Sequence, residues 1–190
     1  HHFTGNQIGI LLTNYILQAL SEKNQLPADA VIIHNIVSSA MTRKVVESYG
    51  AELRIVPVGF KFIGEKIKAF EEGTLDNTYV FGFEESYGCL IGDYARDKDG
   101  IAAVMSLCEA AAYCRAQGIT LWDQMNNIYE KYGYYKEETK SITLEGADGA
   151  EKIKNILEVL DDFPALTAES ISLVHYIAQK YSVSNALAIR

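Results

Sequence analysis

An α/β fold, a sheet with helices packed on its faces, is what this sequence predicts. Three observations carry that expectation. The run "AVIIHNIV" (30–37) is dense in β-branched residues, as a strand buried on both faces requires. Strand-like and helix-like segments then alternate through residue 83, the grammar of parallel strands joined by crossover helices. Gly50 and Gly73 stand where helices would end, and glycine tolerates the left-handed conformation of a helix C-terminus.

The first element precedes the sheet. In "FTGNQIGILLTNYILQALSEKN", Ile8, Leu11, Leu12, Tyr15, Ile16, Ala19 and Leu20 recur at helical spacing and predict one buried face. Thr4 and Gln7 have the spacing of a capping box. After a polar link with Pro27 and the strand at 30–37, "SSAMTRKVVESYG" reads as a short helix, "ELRIVPVG" as a second strand and "FIGEKIKAFEEG" as a second helix. "TYVFGF" is a third strand. Two helices follow, "DKDGIAAVMSLCEAAAYCRAQG" and "TLWDQMNNIYEKYG". The first should be largely buried, with a polar stripe of Ser106, Glu109, Tyr113 and Gln117 left wet. "SITLEG" predicts a last strand and "GAEKIKNILEVLDD" a closing amphipathic helix. Residues 163–190 are unassigned beyond an expected additional helix. The helix-first opening, without an initiating methionine, suggests a piece of something longer.

Composition narrows the function. Against 25 acidic residues stand 17 Lys and Arg, a formal charge of -8, with no basic cluster to displace counterions from phosphates, so nucleic-acid binding is not expected. No apolar run is long enough to span a bilayer and no signal peptide is visible, so a cytoplasmic location without membrane attachment is expected. Cys89, Cys108 and Cys114 have no zinc-ligand spacing, and His1, His2, His34 and His175 are scattered, so no metal site is assigned within the chain. His1 and His2 read as a tag remnant, and His34 as a core residue of its strand.

Candidate site residues cluster at strand ends. In "GFEESYG" (82–88) two glycines flank Glu84, Glu85 and Ser86, a carboxylate and hydroxyl set suited to vicinal hydroxyls, at the strand end where α/β sheets bind ligands. A solvated acidic turn has the same composition. In "ARDKDG" (95–100), Asp97 or Asp99 can cap the next helix, whereas Lys98 opposes the helix dipole and could instead meet a phosphate, helped by Arg96. Gly59 and Lys61 open the helix after the second strand, either as an anion site or as an ordinary turn. "IVSS" can be a helix cap and no more.

Together and in order, "FTGNQIG", "IVSS", "GFKFIGEKI", "GFEESYG" and "RDKDG" resemble the α-D-phosphohexomutase superfamily, in particular its bacterial phosphoglucomutase/phosphopentomutase branch. The resemblance covers about residues 3–162. It implies the third of four domains, a mixed sheet flanked by helices, over 7–162, with 1–6 a tag remnant and the end of the preceding domain. It implies that Glu84 and Ser86 grip sugar hydroxyls, that Lys98 contacts phosphate or acts in acid/base chemistry, and that Gly59 lies near the sugar, with Lys61 and Arg96 as weaker contacts. The implied reaction interconverts glucose 1-phosphate and glucose 6-phosphate through glucose 1,6-bisphosphate. Mannose, ribose or amino-sugar specificity, a non-catalytic sugar-phosphate module and a scaffold domain are the alternatives. The family's phosphoserine, its magnesium loop and its terminal phosphate clamp belong to other domains, and no DxDxDR or RxSGTEP run occurs here. Mg²⁺ and those domains are therefore expected partners, and the chain alone is expected to be inactive. Val58 replaces a threonine common in the family.

Overall fold

A computed structural model describes residues 2–135 and 137. Helix α1 (Gly5–Glu22) leads into strand β1 (Ala30–Asn35), followed by α2 (Met41–Ser48), β2 (Glu52–Val56), α3 (Phe60–Glu71), β3 (Thr78–Phe83), β4 (Cys89–Ile91), α4 (Gly100–Ala116) and α5 (Leu121–Tyr132). The sheet order is β2-β1-β3-β4. β1 runs parallel to both β2 and β3, and β4 closes the edge antiparallel to β3. The sheet is thus mixed and the fold α/β. No helix among the described residues is long and apolar enough to cross a membrane.

Alternation along β1 divides the core. Ala30 and Ile32 join Leu12, Ile16 and Leu17 of α1 and Val46 of α2 on one face. Val31 and Ile33 meet Phe60, Ile63 and Ile67 of α3 on the other. All six residues of β1 are buried, as a central parallel strand demands. α5 adds Met125, Ile128 and Tyr132 outside α1 and α2. The capping box expected of Thr4 and Gln7 is present, and Thr120 with Asp123 forms a second one on α5.

β3 carries one more residue than β1 over the paired stretch. Val31 lies opposite Tyr79 and Ile32 opposite Phe81, so Val80 has no counterpart. Tyr79 therefore packs with α3, while Phe81 and Phe83 pack with α1.

Two expectations are corrected. β4 was not anticipated: three residues directly after a tight loop carry too little pattern to be read as a strand. α4 is not largely buried, for only Ala110 and Cys114 are, while Ile101, Val104 and Met105 are 76%, 63% and 67% exposed. Its alanines reflect helix propensity rather than burial. Nor does the polar stripe face away from the protein, because Tyr113 sits at the α1 seam, its hydroxyl accepting from Gln18 Nε2 at 3.0 Å and donating to Glu22 Oε1 at 3.1 Å. The predicted strand "SITLEG", the closing helix and the segment 163–190 lie outside the described residues.

Gly9 allows α1 to approach the sheet. A Cβ there would stand 2.2 Å from the Phe83 ring. Gly9→Ala is expected to lower the unfolding free energy by about 2 kcal/mol, overpacking outweighing the helix-propensity gain. Gly100→Ala, where nothing lies within 4 Å, should be neutral or stabilising in the same urea titration. Equal effects at the two positions would refute close packing at Gly9.

Candidate functional site

The site forms where the parallel strands end. β1 finishes at Asn35, β2 leads through a short turn to Gly59 at the start of α3, and β3 runs into Glu84. Glu84 is 5% exposed. Its Oε1 accepts the Gly59 N–H at 2.9 Å and the Asn35 amide at 3.4 Å, and its own N–H donates to the Gly88 carbonyl at 2.8 Å, closing the loop. The Asn35 amide also donates to Glu85 Oε2 at 2.7 Å, and Ser38 Oγ donates to Asn35 Oδ1 at 2.8 Å. The ends of β1 and β3 and the start of α3 thereby converge on one carboxylate.

Gly59 caps α3 with φ 120°, ψ 121°, a backbone conformation that strains any side chain. The group at this helix N-terminus is Glu84 itself, whose Oε1 accepts the Gly59 N–H. The Gly59 N–H is therefore already occupied by a protein group.

Lys98 and Glu84 both border Gly88. A side-chain carbon at Gly88 would stand 2.4 Å from Lys98 Cδ and 3.3 Å from Glu84 Oε2, so the lysine stem passes over the loop beside the second carboxylate oxygen. The ammonium lies 3.0 Å from Asp97 Oδ1 and 5.2 Å from the Phe60 ring centroid. That lysine side chain, then its backbone N–H, holds the Asp97 carboxyl below its usual range. Asp99 accepts from the N–H groups of Ile101 and Ala102, which makes it the cap of α4.

Ser86 is exposed on the loop, and the neighbouring Tyr87 takes φ 70° with its hydroxyl donating to the Phe3 carbonyl at 3.3 Å. A Cβ at Gly5 would lie 1.8 Å from the Glu85 carbonyl oxygen, so the start of α1 rests against the loop backbone.

The structure does not bring every candidate together. Lys61 is exposed in the first turn of α3 with its ammonium 4.8 Å from the Phe62 ring centroid. The Arg96 guanidinium donates to the carbonyls of Asp93 and Ala95 and pairs with Glu71. Glu71 ends α3, roughly 18 Å of helix from Gly59, so this charge is turned away from Glu84. Asn35 and Ser38 were missed as site residues. An amide ending an otherwise β-branched strand was the available signal, since a central buried strand has no other use for that polarity.

His34 precedes Asn35 on the opposite face, 2% exposed and stacked 5.6 Å from the Phe83 ring. Its Nδ1 lies 2.7 Å from the Asn35 carbonyl and so carries the proton, while Nε2 has no hydrogen-bond partner among the described residues. Burial, the largest influence, lowers its pKa to about 4. It is a neutral core residue.

Residues 4–132 match the family model described as phosphoglucomutase/phosphomannomutase, alpha/beta/alpha domain III. A phosphoglucomutase of Staphylococcus aureus (strain MRSA252) is 36% identical over 156 residues, and that of strain MSSA476 is 35% identical. Each match covers 82% of this chain and 27% of the relative, so the chain spans about a quarter of the length of those proteins. A crystal structure from Thermus thermophilus, described as a putative phosphomannomutase, superposes with a TM-score of 0.52 at 24% identity, over 69% of this chain and 26% of that one, a likeness of fold. With the family model matched over residues 4–132 and relatives of this identity, this chain belongs to the phosphoglucomutase/phosphomannomutase family, as its domain III.

Proposed function

We propose that this chain is the sugar-binding part of a mutase that interconverts glucose 1-phosphate and glucose 6-phosphate through glucose 1,6-bisphosphate. One observation carries the reading: Glu84 is buried and held through Oε1, while Oε2 lies beside the Lys98 stem. A fixed carboxylate oxygen accepts from sugar hydroxyls, and the exposed Ser86 can donate to or accept from a second one. Both recognise hydroxyls rather than a particular phosphate, which suits a bisphosphate that must bind in two orientations. Lys98, 45% exposed at its side chain, can leave Asp97 to meet a phosphate or to supply a proton to the ester oxygen. Gly59 serves by holding Glu84, and Lys61 and Arg96 remain outer candidates that would have to swing inward.

Magnesium, when bound in such an enzyme, stabilises charge on the transferring phosphoryl group. Among the described residues no cluster of three or more His, Cys, Asp or Glu could hold it. The residues of this chain bind and orient; the phosphoryl donor and the metal loop would come from the parent enzyme's other domains. A cytoplasmic location fits such a substrate.

An NMR amide titration with glucose 1,6-bisphosphate tests the reading. Shifts at 82–88 and around Lys98 are expected, weakened about tenfold by Lys98→Ala, as loss of one charge-assisted contact implies. Glucose and inorganic phosphate serve as controls. Shifts elsewhere only, or equal shifts with inorganic phosphate alone, would overturn it.

A further inference from the structure

We propose that Asn35 is a positioning residue that presets Glu84 for its ligand, with Glu85 as the second arm of the device. Its functional consequence rests on the sugar-binding reading above; its geometry does not.

Asn35 is 1% exposed at the end of β1, on the face where α3 begins. Its orientation is dictated by its neighbours. Ionised carboxylates only accept, so the nitrogen, with two hydrogens, must face Glu85 Oε2 at 2.7 Å and Glu84 Oε1 at 3.4 Å. The oxygen then takes the Ser38 hydroxyl at 2.8 Å, which holds the amide against rotation. Two consecutive carboxylates that would repel each other share one neutral donor group. Alanine would leave them without it, and aspartate would add a third negative charge. Glu85 is held from behind as well, since its carbonyl oxygen abuts Gly5. The shorter bond to Glu85 anchors the amide, and the amide together with the Gly59 N–H fixes Glu84 Oε1. Rotation of Glu84 is thereby stopped with Oε2 on the Lys98 side before any ligand arrives, so binding need not spend free energy on ordering it.

The Gly59 amide proton reports this directly, because its hydrogen bond to Glu84 exists without ligand. In the ligand-free 190-residue chain, Asn35→Ala and the nearly isosteric Asn35→Asp should move the Gly59 amide signal toward its position in Glu84→Ala. Affinity for glucose 1,6-bisphosphate should fall about tenfold in both. A purely structural asparagine would lower the melting temperature and leave the Gly59 signal in place. An unmoved signal in folded Asn35→Asp therefore overturns the proposal, and if the alanine variant does not fold, the aspartate variant carries the test. A signal that moves in a chain whose wild type binds no sugar phosphate would uphold the positioning and overturn the sugar-binding reading instead.

Discussion

Glu84→Ala is expected to weaken binding of glucose 1,6-bisphosphate by about a hundredfold, the upper part of the range for hydrogen bonds to a charged group. The buried carboxylate does two things at once. It holds the Gly59 and Asn35 donors, and it offers Oε2 on the Lys98 side. Glu84→Gln separates these roles. Its oxygen must face the Gly59 N–H, because an NH₂ there would meet a donor. The NH₂ then points toward the Lys98 stem, where it replaces an acceptor by a donor. The glutamine variant should keep the wild-type urea midpoint yet bind almost as poorly as alanine. Isothermal titration of both variants decides the matter, and affinity within twofold of wild type in either would remove Glu84 from the ligand site.

The second large effect concerns acid stability. His34 has an ordinary pKa of 6.5 and about 4 in the folded chain, because burial disfavours the imidazolium. Above 6.5 both states are neutral at this residue and its stabilising contribution is intact. As the pH falls from 6.5 to 4 the unfolded chain takes up the proton and the folded chain does not, so stability drops. The total loss is about 3 kcal/mol, complete near the folded pKa. His34→Leu, of similar volume, should flatten the dependence of unfolding free energy between pH 7 and 4. Asp97, Asp99 and Asp123 have carboxyls held below the ordinary 3.8, so their contributions are lost below this window. An undiminished slope in His34→Leu would assign the acid sensitivity elsewhere.

The fold was legible where burial leaves a period. β1 is apolar from Ala30 to Ile33 because helices cover both its faces, whereas α1, expected to bury one face, is buried at every residue from Gly9 to Asn14 because it packs against both the sheet and α5. Caps were readable at Thr4 and Asp99 because each acts within three residues of its partners. Failures came where local sequence says nothing of neighbours. α4 is apolar on nearly every side, so its composition could not reveal which side packs. In the site, Glu84 and Lys98 stand in recognisable motifs, but Arg96 shares the lysine's motif and pairs with Glu71 instead. Asn35 and Glu84, forty-nine residues apart, meet only through the pairing of parallel strands.

The unpaired Val80 has a consequence beyond packing. Side chains alternate along a strand, so one additional residue inverts every subsequent orientation relative to what came before. Tyr79 lies under α3, and four positions later Phe83 faces α1, which sends Glu84 back toward Gly59. The spacing from Tyr79 to Glu84 thus works as an odd-even count, and Val80 is its spare position. Without Val80, Phe81 would follow Tyr79 onto the opposite face by plain alternation, and Glu84 would still point toward Gly59. A residue inserted or removed where the pairing is already one-to-one has no such slack and would turn the acidic loop away from Gly59.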